Sequence, residues 1–214
     1  MIEKVEYLPS TVAIRTEPVQ QRSADRIASL LDAAAALIDE HGIDGLTTSD
    51  VATRSGSSVG VVYRYFPNIQ SLLRALASRN MQKFLATALE SAPDTADDLT
   101  ALLNSAIDVY VALLRTEPGF RALGFGDVID RRFVQPDASN NSVLAGRFND
   151  LVVAKFGFTA SDDLSVDLEI IIEIADALLQ RAFLYEKQGD ERFIARLREI
   201  VRDYVVSLQK TAAQ

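Results

Sequence analysis

Adjacent carboxylates, a lone imidazole and a hydroxyl-rich run are the groups in this chain whose types and spacing suit chemistry. Asp97-Asp98 and Asp162-Asp163 have the form of metal-binding pairs. Both lack the D-D-x-x-D spacing that sets carboxylates on one helical face over a diphosphate-bound magnesium. Both also stand at expected helix starts, where negative charge complements the dipole. Glu169, Glu173, Asp176 and Gln180 recur at i, i+4, i+7 and i+11, which reads as the solvated edge of a helix. His41 is the single histidine, and there are no cysteines. Those two counts exclude thiolate zinc sites, iron–sulfur clusters, disulfides, thiol nucleophiles and multi-histidine metal centres. No constellation of carboxylate, lysine, tyrosine or serine stands out for catalysis, so no catalytic residue, metal or cofactor is expected. The densest remaining chemistry runs from Thr47 to Phe66, where Thr47, Thr48, Ser58, Tyr63 and Tyr65 supply hydroxyls and Arg64 a long cation.

The elements that must position this run read as helices. Residues 1–22, with Pro9, Pro18 and no helical period, form an expected extended arm. From Arg26, the apolar positions Ile27, Leu30, Leu31, Ala34, Ala35, Leu37 and Ile38 recur at three- and four-residue spacing until His41-Gly42 closes the helix. Thr47-Thr48-Ser49-Asp50 gives the hydroxyl cap and early carboxylate of a short second helix. It stops at Ser55-Gly56, where Gly56 fits a turn position needing positive φ. Ser57-Ser58 then caps a third short helix through Tyr63 to Phe66, ended by Pro67-Asn68. Two short helices joined by a tight glycine turn and packed on a longer one make a helix-turn-helix. Val51, Ala52, Val62 and Phe66 are spaced to face the first helix. Further helices are expected from Asn68 to Pro93 and over about 95–115, 140–156, 161–188 and 191–210, with no strand and no repeat. The expected fold class is all-α: an arm (1–22), a three-helix helix-turn-helix domain (23–70) and a C-terminal helical domain (71–214).

At 214 residues and 23.5 kDa the chain is long enough to fold without a staple. Its net charge of −8 is, as an average, the wrong sign for a polyanion. The charge is divided, however. Residues 1–80 carry eight basic and nine acidic side chains (net −1), and residues 81–214 carry fourteen and twenty-one (net −7). Strong indiscriminate DNA binding is thereby excluded, while binding by a near-neutral head is not. The N-terminus carries Glu3 and Glu6 and does not read as a signal peptide. No segment is expected to approach a membrane span, since Glu169, Glu173 and Asp176 interrupt the apolar run Leu168 to Leu179. A cytoplasmic protein without membrane partners is the expectation.

The stretch Leu46-Thr47-Thr48-Ser49-Asp50-Val51-Ala52-Thr53-Arg54-Ser55-Gly56-Ser57-Ser58-Val59-Gly60-Val61-Val62-Tyr63-Arg64-Tyr65-Phe66, followed by Leu72-Leu73, resembles the DNA-binding domain of the tetracycline-repressor (TetR) family. That family's pattern is T-x-x-x-(I/V)-A-x-x-(A/S)-G-x-S-x-G-x-(L/V)-Y-x-(H/Y)-F. The likeness runs from Arg26 to Leu73, and the helical remainder fits in length and pattern. It implies that the third helix enters the major groove of double-stranded operator DNA, presenting Val59, Val61, Tyr63 and Arg64 outward. Thr47, Thr48, Ser58, Tyr63 and Tyr65 would then hold phosphate oxygens, and Arg64 a guanine edge or a phosphate. Val59 and Val61 offer methyl groups to thymine, and Gly60 permits close approach of backbone to a groove wall or a neighbouring helix. Two positions depart from the pattern: Val61 stands where many relatives carry threonine, and Ile69 where they carry lysine. Arg15, Arg22 and Arg26, in the arm and first helix, offset the lost phosphate contact.

The last two helices are apolar over more than one face, and in the resembling family such a pair meets its symmetry mate as a four-helix bundle. A two-fold homodimer is therefore expected through Ile171, Ala175, Leu178, Phe193, Leu197, Ile200, Val201, Tyr204 and Leu208. A cavity for an unknown small-molecule effector is expected between the DNA-binding head and this pair. Phe84, Leu103, Ile107, Tyr110, Phe120, Phe125, Phe148 and Val152 are its expected lining, with Asn104, Asp108 or Arg121 as polar groups. The resemblance implies a ligand-responsive regulator, a repressor released from its operator by a small apolar or amphipathic effector through a population shift. The competing reading is a helical ligand-binding or scaffolding protein with a weakened DNA-binding head, motivated by Val61, Ile69 and the sparse positive charge.

Overall fold

The computed structural model describes residues 21–92, 99–123, 140–156 and 159–212. Among them the chain forms eight α-helices and no strand: α1 (Gln21–His41), α2 (Thr48–Arg54), α3 (Val59–Tyr65), α4 (Ile69–Glu90), α5 (Leu99–Thr116), α6 (Asn140–Phe156), α7 (Asp162–Phe183) and α8 (Glu191–Ala212). The chain divides into two compact units, Met1–Asn80 and Met81–Gln214. The division falls within α4, whose Leu72, Leu73, Leu76 and Ala77 are buried.

In the N-terminal unit the three- and four-residue apolar period of α1 buries Leu30, Leu31, Ala34 and Ile38. Val51, Ala52, Val62 and Phe66 are likewise buried. Each of the larger side chains among these, Leu, Ile, Val or Phe, contributes about 1.5–3 kcal/mol on burial, and each alanine methyl about 0.8 kcal/mol. Polar links fix the helices around it. Both terminal nitrogens of the Arg54 guanidinium donate to the Glu40 carboxylate, one of them at 2.9 Å, and Arg79 reaches Asp32 at 2.6 Å. Asn68 and Ser71 cap α4 reciprocally: the Ser71 amide donates to Asn68 Oδ1 at 2.8 Å, and the Asn68 amide to Ser71 Oγ at 3.3 Å.

In the C-terminal unit α7 packs against α6 and α8, and α5 lies against α7 and α8. Ser161 caps α7 by accepting from the Leu164 amide at 3.1 Å, with Asp162 and Asp163 in the first turn. The α7–α8 turn requires a glycine. Gly189 has φ +82°, and a Cβ there would lie 2.7 Å from the Phe183 ring. Helix α5 overturns the expectation that no segment approaches a membrane span. It is, by length and composition, apolar enough to cross a membrane. Its apolarity has a core explanation, since ten of its eighteen residues, from Leu99 to Leu114, are buried in the unit.

Candidate functional site

The turn that joins α2 to α3 is built from local chemistry. Thr47 adopts extended backbone and accepts the Asp50 amide at 3.1 Å, while its own hydroxyl donates to the Asp50 carboxylate at 2.5 Å. Ser55 ends α2, Gly56 turns the chain at φ +63°, and the Ser57 amide returns to the Ala52 carbonyl at 2.9 Å. Ser58 then caps α3 by accepting the Val61 amide at 3.3 Å. With both caps satisfied and Val51, Ala52, Val62 and Phe66 buried, the outer face of α3 is fixed.

That face carries Val59, Gly60, Tyr63 and Arg64, all exposed, with Val61 half-buried. Tyr63 is 44% exposed, and Thr48 donates to its hydroxyl at 3.4 Å, so the start of α2 and the middle of α3 share one polar edge. Exposed Thr47 and Ser58 lie at the two helix starts. Arg22 and Arg26 are exposed on the first turns of α1, and Arg26 donates to Ser57 Oγ at 3.3 Å, beside the α3 cap. Tyr65 departs from the expected hydroxyl set. It is only 6% exposed, and the Arg64 guanidinium sits 5.8 Å from its ring centroid. Its ring belongs to the core and supports the arginine from beneath. Gly60 is explained by nothing in the fold: its φ is not positive, and a Cβ would meet only Ser58 Oγ at 3.9 Å. Arg15 and the rest of residues 1–20 lie outside the described residues.

The C-terminal unit contains a cavity of about 500 Å³ free of protein atoms, mouth included. Of the expected ligand residues, Phe84, Leu103, Ile107, Tyr110 and Phe148 line it. Phe120 and Val152 are buried elsewhere in the unit's core. The three expected polar groups are not among the lining residues. Asp108 accepts from Arg198 at 2.5 Å, and Arg121 donates to the Leu114 carbonyl at 3.3 Å. Asn104 is half-buried, and its Oδ1 is buried without a hydrogen-bond partner. Phe125 lies outside the described residues, as does Asp97-Asp98. The polar group on the wall is instead Asp176, 6% exposed, which accepts from the Tyr110 hydroxyl at 3.4 Å and from Gln180 Nε2 at 2.8 Å. Its reading as part of a solvated edge is overturned: Glu173 faces solvent, but Asp176 turns into the core.

The residues expected at a subunit contact separate into two groups. Ile171, Ala175 and Val201 line the cavity, and Leu197 is fully buried in the same core. Leu178, Phe193, Ile200, Tyr204 and Leu208 remain half-buried. Missing from that expectation were Val166, Ile170 and Val206, which are 55%, 39% and 42% exposed. With Ile174 and Leu178, the first two form a row at i, i+4, i+8 and i+12 along α7. Such a row is a ridge suited to helix packing. Among the described residues no cluster of three His, Cys, Asp or Glu is placed to hold a metal.

Comparison with known proteins agrees with both halves. A family model described as bacterial regulatory proteins of the tetR family matches residues 30–76, and one described as the tetracyclin repressor-like C-terminal domain matches residues 97–208. A TetR-family transcriptional regulator from Streptomyces coelicolor is 32% identical, with a TM-score of 0.71 over 85% of this chain and 98% of that one. The fold is also shared with a TetR-family regulator from Pectobacterium atrosepticum at 16% identity, with a TM-score of 0.62 over 86% of this chain and 94% of that one. The tetracycline repressor protein class D of Escherichia coli is 35% identical over 42% of this chain and 41% of its own length. An uncharacterised HTH-type transcriptional regulator of Mycobacterium tuberculosis is 30% identical over 40% of this chain and 43% of its own. The chain thus spans about two fifths of the length of these curated relatives. The two matched regions together carry the helix-turn-helix and the α5–α8 unit, and the chain belongs to the TetR family of transcriptional regulators.

Proposed function

We propose that this protein is a ligand-responsive repressor that binds a near-palindromic operator as a homodimer in the cytoplasm. The observation that carries the DNA-binding reading is the outer face of α3: exposed Val59, Gly60, Tyr63 and Arg64 stand on a helix whose buried side and both caps are fully accounted for by the fold. Arg64 reads a guanine edge or a phosphate, and Val59 and Val61 touch thymine methyls. Thr47, Thr48, Ser58 and Tyr63 hold phosphates together with Arg22 and Arg26, and these contacts set the register. Gly60 lets the α3 backbone approach the groove wall. The exposed apolar ridge on α7 supports dimerisation through α7 and α8, which sets two recognition helices on successive turns of DNA. The α5–α7 cavity supports an effector that binds one form of the dimer better than the other, lowering operator affinity by that difference alone.

A mobility-shift titration against the DNA flanking the protein's own gene tests this reading. The expected result is a discrete complex at low salt, competed by the unlabelled fragment and not by unrelated DNA. Failure of every flanking fragment to bind at low salt supports the scaffolding alternative instead.

A further inference from the structure

We infer that the C-terminal cavity takes a small uncharged hydrocarbon-like ligand and turns away the same body when it carries a charged head. This rests on reading the cavity as the effector site and narrows the class of effector. Of the thirteen described residues that line it, eleven are aliphatic or aromatic side chains without a polar atom, drawn from α4, α5, α6, α7 and α8. The two exceptions, Tyr110 and Asp176, are committed to protein partners. The Tyr110 hydroxyl donates to Asp176 Oδ1 at 3.4 Å and Gln180 Nε2 to Asp176 Oδ2 at 2.8 Å, and both Tyr110 and Asp176 take part in further interactions within the chain. A ligand therefore finds a hydrocarbon wall. Moving apolar surface from water onto such a wall is favourable in proportion to the area removed. A charged head loses its hydration there without compensation. An ammonium meets a carboxylate that is already engaged, and a carboxylate meets no lysine, arginine or histidine among the described lining residues. The wall also suits a flat body. Phe84 and Tyr110 meet at 5.5 Å between ring centroids with their planes tilted by 57°, and Phe148 lines the same space, so a ring has both edges and faces to pack against. The cavity is small, with about 50 Å³ open to the centres of water-sized bodies, whereas an apolar cavity of about 150 Å³ holds a benzene. A one-ring ligand is thus the appropriate probe, seated by small side-chain shifts or by reaching into the mouth.

Calorimetric titration of the full chain at neutral pH with toluene, benzylamine and benzoate, which share a ring and one carbon and differ in charge, tests this. Toluene is expected to bind at least tenfold more tightly than either ion. Ala106→Leu, which fills the lined space, is expected to abolish toluene binding. Where that variant fails to fold, the methyl resonances of Ile107 and Ile171 in the unaltered chain locate the ligand, and both are expected to shift with toluene. Binding of either ion as tight as that of toluene, no binding of toluene up to its solubility limit, toluene binding undiminished in folded Ala106→Leu, or methyl shifts that spare Ile107 and Ile171 overturns the inference. Operator binding measured with and without saturating toluene separates the two claims: an unchanged operator affinity overturns the effector reading, while the ranking of the three ligands still upholds the cavity's preference.

Discussion

Replacing Gly60 with alanine separates what the fold needs from what the DNA interface needs. Glycine inside a helix costs about 0.5–1 kcal/mol relative to alanine, because its unfolded backbone has more freedom to lose. At Gly60 the backbone is not in the left-handed region, and the added Cβ would have Ser58 Oγ as its nearest neighbour at 3.9 Å, an ordinary contact. Gly60→Ala is therefore expected to stabilise the chain by up to about 1 kcal/mol. For a protein of this size that corresponds to a rise in Tm of about 2–4 °C. The same methyl group projects from the face proposed to approach DNA. Displacing one charge-assisted contact to a phosphate costs about 1.5–3 kcal/mol, or about ten- to hundredfold in operator affinity. Thermal melts paired with fluorescence anisotropy on an operator duplex read both effects in one preparation. A destabilised Gly60→Ala, or one that binds operator like the parent, refutes the reasoning.

Gly189→Ala is expected to act in the opposite sense. The φ of +82° and the 2.7 Å approach to the Phe183 ring make it destabilising by about 1–3 kcal/mol, seen as a lower midpoint in urea. Tyr204 donates to Asp167 at 2.6 Å, and this hydrogen bond pushes the phenol up to about 12 from its ordinary 10. Its folded pKa lies above its unfolded one, so its contribution is complete below pH 10 and is lost as pH rises through about 12. Melts across that window should therefore fall less steeply for Tyr204→Phe than for the parent. Salt dependence should be shallow. Arg22, Arg26 and Arg64 are the exposed cations proposed to touch DNA, and three in each half of a dimer give a slope of log K against log salt of about −5. A slope near −10 contradicts that set of contacts.

The helix-turn-helix was legible in the sequence because its signals are local. The Thr47 and Ser58 caps, the Gly56 turn and the spacing of Val51, Ala52, Val62 and Phe66 each act within a few residues. The C-terminal unit was legible as helices but not as faces. Helix α7 is apolar around most of its circumference, so periodicity alone does not say that Ile171 and Ala175 turn to the cavity while Val166 and Ile170 turn outward. Asp176 was misread for the same reason. Its place in an acidic stripe is a property of α7, whereas its burial is a property of α5 lying against it with Tyr110. Tyr65 looked like one more hydroxyl in a hydroxyl-rich run, and only packing reveals that its ring is in the core. The helices proposed to face DNA belong to the near-neutral first 80 residues.

Sequence-specific DNA recognition by α3 is tested most directly by in vitro selection of bound sequences from a randomised duplex pool, run in parallel with the parent chain and Arg64→Ala. The parent should enrich a near-palindromic site whose two half-sites lie about one helical turn, or a multiple of it, apart. Arg64→Ala should weaken binding to that site about tenfold or more, with relaxed preference at one position in each half-site if Arg64 reads a base. A pool that remains random through successive rounds with the parent chain contradicts it.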